Sequence, residues 1–597
     1  MPVSGPAPAT TIAIVGGGPR GLVVLGRILA RLVAHGTAGP PGRLAIHLID
    51  PYENGRIWRT DLPESLLMNS RVGDVTLFSD DGMPDLPGVV GGMDFATWLR
   101  EQSDANETEP SAYAARRTFA RHLAWARRHL LSPGTPGVRV VSRQAQVTRL
   151  TAIGNGRRRL CLRAASGDVE SLDADAVVLA TGHQEVVDDT TVQRKGLARR
   201  AGRFYAPPHI VGEIDLSRIE PGRRVAVLGT GLNFFDLVSL LTQGRGGRFV
   251  RDEANILRYR PGGREPRLFV GSRRGIPHLS RAVRPEPAHP RFFDGRALQR
   301  LAERPGLRDF RQEIWPLIAR DLALAHAEAL SATPHGGGPL DLERVLDPLA
   351  SHGVPVPFDT ESDLTDWMIG FLSADIRDSR CRPRGPMRAA GEMLAATAQG
   401  VKALVADGRI DGRSYQRDVV GWFNAMVAHL ASGPPVLRFE QLAALARCGI
   451  VRFVGSRVRL VGERDGTHVS CPNLHTAPDV DGVIEARLFA TDVRRSADPL
   501  MADLVRSGRA RPFQMPAGNS GASGTGVDTG SLDVTRDELC LVGADGSVDR
   551  QVFAFGVPLE GVHWLTAALP VPRREDLTLR CADQIACAVL RRLWPGS

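Results

Sequence analysis

Residues 11–21, TIAIVGGGPRG, decide the fold of this chain of 597 residues. A short apolar segment runs into a glycine-rich turn, and an apolar run with helical spacing follows at residues 22–32. Gly16, Gly18 and Gly21 have the G-x-G-x-x-G spacing, which serves a tight turn, a close approach of pyrophosphate to the backbone, and close helix–strand packing, respectively. The N-terminus of the helix then offers free N–H groups to phosphates. The stretch therefore predicts a strand, a turn and a helix that bind a dinucleotide.

A second strand is predicted at residues 44–50 (LAIHLID), and it ends in Asp50. An acidic residue at this position accepts hydrogen bonds from an adenosine ribose. Asp50 lies farther from the glycine turn than the usual ~20 residues, and we ascribe the difference to an insertion at residues 36–42. An aspartate that merely ends a strand is the alternative interpretation.

Two later stretches extend the prediction. A buried strand is predicted to end in residues 180–183 (ATGH), where small residues let the chain pass close to a dinucleotide. Residues 229–232 (GTGL) follow another strand and begin a second glycine turn. Phe234 occupies the position of the third glycine, so we expect a looser helix–strand contact or a shifted phosphate there. Together the stretches favour FAD at the first turn and a nicotinamide cofactor at the second.

The residues after the next predicted strand indicate which nicotinamide cofactor binds. Ser272, Arg273 and Arg274 lie where a 2′-phosphate is expected. Hydroxyl and guanidinium groups suit a phosphate dianion, so the sequence favours NADPH over NADH. Surface arginines in an arginine-rich chain are the alternative.

Composition restricts the class of protein. The formal net charge is +9, but the basic residues are scattered arginines and the only lysines are Lys195 and Lys402; a nucleic-acid surface would need a dense basic stripe with aromatic residues. The seven cysteines show no C-x-x-C spacing and no His/Cys cluster, which argues against a disulfide reductase and gives no metal motif. No apolar run approaches the ~20 residues of a membrane span, and the N-terminus has no signal-peptide pattern. We expect a cytoplasmic protein that binds neither membrane nor nucleic acid.

The predicted fold class is α/β, with two Rossmann-like dinucleotide-binding domains and a largely helical insertion. The predicted boundaries are residues 1–212 for the first part of the FAD domain, 213–282 for the first part of the NAD(P) domain, 283–446 for the helical insertion, 447–495 for the return of the NAD(P) domain, and 496–597 for the C-terminal part of the FAD domain. Near the end, Gly556 follows a predicted strand. A helix from about residue 576 is expected to direct its N-terminus at the flavin ring.

The motifs GGGPRG with Asp50, ATGH and GTGL, taken together, resemble bacterial FAD/NAD(P)-binding flavoproteins with two Rossmann domains. The order of a GPRG turn, an Asn-Ser loop, LATGH, GTGL and SRRG is similar to a group of long FAD-NAD(P)-binding proteins. The resemblance is weaker to flavin N-hydroxylating and Baeyer–Villiger monooxygenases, and the linker signature of the latter is not intact. It implies FAD at Gly16, Gly18, Gly21 and Asp50 with Trp58, Asn69 and Gly182 nearby, and NADPH at Gly229 and Gly231 with Arg273 and Arg274. The full predicted set adds Pro19, Arg20, Ser70, Thr181, Ser272 and Gly556.

Three functions remain open on the sequence alone. The first is an NADPH-dependent flavin monooxygenase acting on a small nucleophilic metabolite, in which the cofactor performs the reaction and the protein binds, orients and excludes water. The second is a flavin dehydrogenase or oxidase of an amine, amino acid or carrier-bound substrate, with a vestigial second site suggested by Phe234. The third is a non-catalytic flavin-binding protein. No catalytic residue is assigned beyond His183, for which a structural role is the alternative. The sequence leaves the substrate and the oligomeric state unassigned.

Overall fold

The computed structural model describes most of the chain. The described residues are 10–34, 43–53, 55–79, 82–89, 91–102, 109–132, 134–200, 202–283, 287–332, 354, 357–381, 384–463, 466–475, 478–518, 526–564 and 568–594. The insertion proposed at residues 36–42 lies outside these ranges.

Strands and helices alternate along much of the described chain. The strands are β1 (Thr10–Val15), β2 (Leu44–Ile49), β3 (Val138–Arg143), β4 (Ala145–Ala152), β5 (Arg158–Ala164), β6 (Val169–Ala174), β7 (Ala176–Leu179), β8 (Phe204–Ala206), β9 (Arg224–Leu228), β10 (Arg248–Arg251), β11 (Leu257–Arg260), β12 (Arg267–Ser272), β13 (Val451–Ser456), β14 (Arg459–Glu463), β15 (Gly466–Ser470), β16 (Gly482–Glu485), β17 (Pro512–Met515), β18 (Val527–Leu532), β19 (Cys540–Val542) and β20 (Val548–Ala554). The helices are α1 (Pro19–Ala34), α2 (Phe95–Glu101), α3 (Arg116–Leu131), α4 (Asp189–Arg200), α5 (Leu232–Leu241), α6 (Gly295–Glu303), α7 (Trp315–Ser331), α8 (Glu361–Arg380), α9 (Pro386–Ala406), α10 (Gly412–Ser414), α11 (Asn424–Ala431), α12 (Val436–Arg447), α13 (Pro499–Arg506), α14 (Glu560–His563) and α15 (Leu577–Leu593).

The chain divides into two compact units, each built from more than one segment. The first unit comprises Met1–Val187, Ala490–Gln514 and Asp528–Ser597, and the second comprises Asp188–Phe489 and Met515–Val527. Each unit contains a largely parallel sheet whose central strands are mostly buried, as expected for sheets covered on both faces.

The first unit is organised around a six-stranded sheet in the order β19-β20-β7-β1-β2-β3. All neighbouring strands are parallel except β19 and β20, which are antiparallel. The central strand β1 is buried almost throughout, and α1 and α15 contribute their apolar faces to the same core. A second, three-stranded antiparallel sheet has the order β4-β5-β6. The glycine turn between β1 and α1 therefore lies at the carboxyl edge of a parallel sheet, where α/β proteins bind their ligands.

The helices α1 and α15 are also joined by buried charges. Arg27, which is 1% exposed, donates from Nε (3.0 Å) and Nη2 (2.7 Å) to Oδ1 of Asp583. Its Nη1 donates to Ser79 Oγ at 2.7 Å. Arg31 on the next turn of α1 reaches both carboxylate oxygens of Asp583. This ion network connects the first helix of the chain with the last.

The second unit contains a five-stranded parallel sheet in the order β13-β12-β9-β16-β8. Strand β9 is central and leads into the second glycine turn, after which α5 begins at Leu232. Two short hairpins, β10-β11 and β14-β15, are separate from this sheet.

Between β12 and β13 the described residues form helices and no strand. The spacing of apolar residues predicts five helical segments, at residues 297–301, 310–330, 361–373, 388–407 and 415–430, and does not predict α12. Turns of π-helix at Phe310–Ile314 and Tyr415–Phe423 precede α7 and α11. The described part of the predicted helical insertion is thus largely helical.

One predicted hairpin is partly wrong. The alternation of residues 138–152 predicts a single strand that pairs with the next strand across a Gly-Asn-Gly turn. That turn exists, with Asn155 at φ 62°, and β4 pairs antiparallel with β5 across it. Residues 138–143, however, form β3, which pairs in parallel with β2 of the main sheet. Alternation of side chains reveals a strand but not its partner, so it does not reveal the break at Gln144.

Candidate cofactor-binding sites

The first glycine turn is crowded by backbone. Gly16 has φ +114°, and a methyl group on it would lie 2.3 Å from the carbonyl oxygen of Ala180. A methyl group on Gly21 would lie 1.8 Å from the carbonyl oxygen of Gly16. From the other side, a methyl group on Gly55 would lie 3.1 Å from Cα of Gly18. The turn and the ATGH segment are therefore neighbours. Because there is no room for side chains here, the groups available to a ligand are backbone N–H groups, which suit a dinucleotide phosphate.

Asp50 lies beside this turn. Its Oδ2 accepts from the N–H of Gly17 at 2.6 Å, and its Oδ1 accepts from the N–H of Tyr52 at 2.7 Å. The residue is 8% exposed, and burial raises the pKa of its carboxyl group against these bonds and the charge of Arg127. Each carboxylate oxygen keeps acceptor capacity for a further donor, which is what a ribose hydroxyl would need.

Arg127 on α3 is a charged residue that sequence reasoning missed. It is 6% exposed, and burial lowers the pKa of its guanidinium. Its Nη2 donates to Ser142 Oγ, whereas its Nη1 has no hydrogen-bond partner among the described residues. A methyl group on Gly17 would lie 3.3 Å from Nη1. The signal was present, because Arg127 follows the buried Leu123 by four residues and so falls on the buried face of an amphipathic helix.

The structure also brings Arg20 and Gly556 together. Gly556 has φ +88°, and a methyl group on it would lie 3.0 Å from Cγ of Arg20. The Arg20 guanidinium lies 5.7 Å from the ring centroid of Phe555 and donates to the carbonyl oxygen of Ala568. Burial lowers its pKa to about 10. Pro19 begins α1 directly before it. Arg20 and Gly556, two predicted cofactor-binding residues from opposite ends of the chain, are thus neighbours.

An open pocket lies beside the ATGH segment, within the first unit, and its empty space of about 300 Å³ includes a part that is open to solvent. It is lined by Gly182, His183, Gln184, Val186, Ala490, Thr491, Asp492, Val493, Ser496, Val557 and Pro558. Sequence reasoning missed the contribution of residues 490–496 to this pocket. The Ser496 hydroxyl joins this segment to Gln184 by donating a hydrogen bond of 2.8 Å from Oγ to Oε1. Burial lowers the pKa of His183, so its imidazole is neutral at physiological pH. Thr181 is half-buried next to this pocket.

The three predicted residues of the loop after β2 have different surroundings. The Trp58 ring packs edge-on against Phe119, with centroids 4.7 Å apart, and joins the rim of the core. Asn69 and Ser70 are half-buried just before a single helical turn at Val72–Asp74. Their roles toward a flavin stay predictions.

The second glycine turn repeats the design of the first in the second unit. Gly229 has φ +117°, and a methyl group on it would lie 3.1 Å from the carbonyl oxygen of Ala486. Gly231 is the N-cap of α5. Phe234 is fully buried, with its ring centroid 5.1 Å from that of Phe235. The large side chain points into the core, and α5 still begins directly after the turn.

The SRRG segment follows β12 at the same edge of this sheet. Ser272 Oγ accepts from the N–H of Gly275 at 3.0 Å and lies 2.9 Å from Thr230 Oγ1, so the hydroxyl ties the segment to the glycine turn. Arg273 is exposed and Arg274 is half-buried. Burial and the neighbouring charge of Arg273 lower the pKa of Arg274 to about 10. Neither arginine has a carboxylate partner among the described residues. Two close cations without a counter-charge fit a phosphate dianion.

Comparison with known proteins assigns this chain to a family. Residues 13–184 match the family model described as FAD-NAD(P)-binding. The chain is 35% identical to the L-aspartate N-monooxygenase (nitrosuccinate-forming) of Streptomyces cremeus, over 97% of this chain and 94% of that protein. This chain belongs to the FAD- and NAD(P)-binding N-monooxygenases. A second member, the nitrosuccinic acid synthase of Aspergillus oryzae, is 32% identical over 98% of this chain and 93% of its own length.

Among solved structures, the ornithine N-hydroxylase of Kutzneria sp. 744 has 15% sequence identity and a TM-score of 0.45, and the alignment covers 98% of this chain and 100% of that chain. As an N-monooxygenase, this protein is an FAD-dependent oxidoreductase, and the predictions of a flavin monooxygenase with FAD and a nicotinamide dinucleotide as cofactors are confirmed. The oxidase and non-catalytic alternatives are set aside. The individual residue assignments stay predictions.

Proposed function

We propose that this enzyme oxidises the amino group of L-aspartate and forms nitrosuccinate. The observation that carries the proposal is the 35% identity to an L-aspartate N-monooxygenase over nearly the full length of both chains. Two further relatives, including a protein of Streptomyces davaonensis at 30% identity, carry names that refer to the same product. A small dicarboxylic amino acid is also a small nucleophilic metabolite, the substrate class that the sequence predicted.

The bound flavin supplies the activation of O₂. Conversion of the amine into a nitro group takes three successive oxygenations. Each consumes one NADPH, one proton and one O₂, adds one oxygen atom to the substrate nitrogen and releases the other as water, and the doubly hydroxylated amine loses one further water to give the nitroso compound before the third oxygenation. The protein binds and orients the reactants. In this proposal the first glycine turn and Asp50 hold the adenosine diphosphate half of FAD, and the neutral His183 donates or accepts a hydrogen bond at the pocket beside ATGH.

Substrate oxidation can be tested with the purified, FAD-loaded enzyme. We expect L-aspartate to accelerate NADPH oxidation and to yield nitrosuccinate, detected by mass spectrometry, while L-glutamate and L-ornithine give at most a small fraction of that rate. NADPH oxidation that yields only hydrogen peroxide with every amino acid would contradict the proposal.

We further propose that Arg274 and Arg273 bind the 2′-phosphate of NADPH. Support comes from their proximity to the second glycine turn and from the lack of a carboxylate partner in the described part of the chain. A hydrogen bond to a charged group contributes about 1.5–3 kcal/mol. Replacing Arg274→Gln should therefore raise KM for NADPH by about 10-fold or more and leave KM for NADH unchanged.

Arg260→Gln provides the matched control, since Arg260 is exposed on β11 of the same unit. Equal changes of KM for both cofactors in the Arg274 variant would refute the assignment.

The cellular compartment is also a proposal. All seven cysteines carry free thiols, which favours a reducing compartment, and we place the enzyme in the cytoplasm. None of the described helices is long and apolar enough to cross a bilayer.

A further inference from the structure

One histidine ring, that of His278, lies next to the second glycine turn, and a second, that of His429, lies beside the first ring. His278 follows the SRRG segment, and His429 lies on α11 of the helical insertion. Their ring centroids are 6.2 Å apart and the rings are nearly perpendicular. The N–H of Leu279 donates to the carbonyl oxygen of His429 at 2.8 Å, which ties the loop to the helix. Both histidines and the turn belong to the second unit.

The rings carry buried nitrogens without partners. Nδ1 of His278 and both ring nitrogens of His429 have no hydrogen bond among the described residues. His429 is 0% exposed. An unsatisfied buried polar group costs about 1–3 kcal/mol, and each one in a folded protein needs an explanation. Three of them in one cluster make this pair of rings an unusual feature of the second unit, and Nε2 of His278, the nitrogen nearer the turn, is not among the three.

His278 faces the turn directly. A methyl group on Gly231 would lie 3.6 Å from Cε1 and 3.9 Å from Nε2 of His278. Gly231 is also the N-cap of α5, so the free N–H groups of this helix point toward the same place. Arg274, four residues before His278, lacks a carboxylate partner in the described structure. Hydrogen-bond donors therefore converge here, which suits a phosphate group.

Burial also fixes the state of both rings. It lowers the pKa of His278 to about 4 and that of His429 well below its usual value, and the positive charge of Arg274 acts in the same direction on both. Arg388 adds a further positive charge near His429. Each ring is thus neutral at physiological pH, with one donor and one acceptor nitrogen.

We propose that His278 donates a hydrogen bond to the pyrophosphate of the bound nicotinamide dinucleotide, and that His429 is a positioning residue that orients the His278 ring. The proposal rests on NADPH binding at the second glycine turn. It gives the helical insertion a role, because α11 reaches the cofactor site through this pair of rings. Arg274 and His278 then recognise different phosphates of the same molecule.

The test is isothermal titration of the FAD-loaded enzyme with NADP⁺ and with adenosine 2′-monophosphate, which has no pyrophosphate. Replacing His278→Phe should weaken NADP⁺ binding by about 10-fold and leave adenosine 2′-monophosphate unchanged. His278→Asn, which keeps a donor, should restore most of the affinity. His429→Leu should weaken NADP⁺ binding by a smaller factor, since it acts only through His278. His289→Phe is the matched control, because His289 is an exposed histidine of the same unit.

The outcomes separate the two proposals. Wild-type NADP⁺ affinity in the His278→Phe variant would overturn the inference and show that the rings hold only water. An equal loss for both ligands would also overturn it, since that indicates general damage to the site; flavin content and thermal unfolding of each variant check the fold. Failure of the unmodified enzyme to bind NADP⁺ would instead refute the proposed use of NADPH.

Discussion

At the scale of single residues, two glycines of the first turn have different tasks. A methyl group on Gly21 would overlap the carbonyl oxygen of Gly16, so only the backbone can resolve the clash. Gly18 is not among the residues with positive φ, and we expect its small size to serve the approach of the cofactor. The motif is therefore predicted to contain one position required by the fold and one required by the ligand.

This difference gives a prediction for paired variants. Gly21→Ala should destabilise the apoprotein by about 1–3 kcal/mol through overpacking and lose FAD as a consequence. Gly18→Val should lose FAD with a much smaller change in apoprotein stability. The measurements are thermal unfolding without flavin and the ratio of flavin to protein absorbance after purification. A Gly18→Val protein that keeps a full complement of flavin would show that this position does not face the cofactor.

How well a residue's role could be predicted depended on where its partners lie in the sequence. The roles of the glycines and Asp50 could be predicted from their neighbours in the sequence, because the turn, the strand end and the helix start are adjacent there. Arg127 and His429 could not be assigned, since Arg127 lies beside the first glycine turn and His429 lies beside His278, each more than a hundred residues away in sequence. A buried arginine or histidine on an amphipathic helix signals an unusual position, but only the folded chain reveals what faces it.

At the scale of elements, the ion network between α1 and α15 predicts a stability effect. Asp583→Asn would leave Arg27 buried without a charge partner, which should lower the free energy of unfolding by about 3–5 kcal/mol. Asp85→Asn is the matched control, because Asp85 pairs with Arg580 at an exposed position and exposed pairs contribute little. The temperature at which flavin is released on heating reports the difference. Equal release temperatures for the two variants would contradict the buried role.

The same network has a predictable pH dependence. Burial alone would raise the pKa of Asp583, but the hydrogen bonds from Arg31 and Arg27 outweigh it and the pKa is lowered. A lowered pKa means that the stabilisation is fully present above the pKa of the unfolded chain and is lost as pH falls through the folded value. The difference in free energy of unfolding between the wild type and the Asp583→Asn variant should therefore become smaller as the pH falls.

The helices of the insertion could be predicted from the sequence but the order of the strands could not, and the reason is physical. The long helices of the insertion are indicated by the spacing of their apolar residues, and α8 extends to Arg380, beyond its predicted end at Ser373. The strand orders could not be predicted, because pairing such as that of β7 with β20 joins segments from opposite ends of the chain. The same non-local pairing explains why β3 was assigned to the wrong sheet.

At the scale of the whole molecule, FAD should act as a structural ligand. A ligand that binds only the folded state stabilises it by about 2.7 kcal/mol at one hundred times its dissociation constant. Added FAD should therefore raise the thermal unfolding temperature of the apoprotein. FMN, which lacks the adenosine half that the glycine turn and Asp50 are predicted to hold, should not. An equal shift with FMN would place the main binding energy at the flavin ring instead.

The discontinuous first unit has a consequence for how the enzyme is made. Arg27 and Asp583 lie 556 residues apart, and at roughly 5–20 residues per second a ribosome needs on the order of half a minute to two minutes to span that distance. Throughout this interval the N-terminal strand and helix wait without β20 and α15, while most of the second unit has already emerged. We therefore expect the later-encoded unit to fold first on the ribosome, and flavin to be captured only around chain release. A nascent chain arrested before residue 548 should accordingly be colourless.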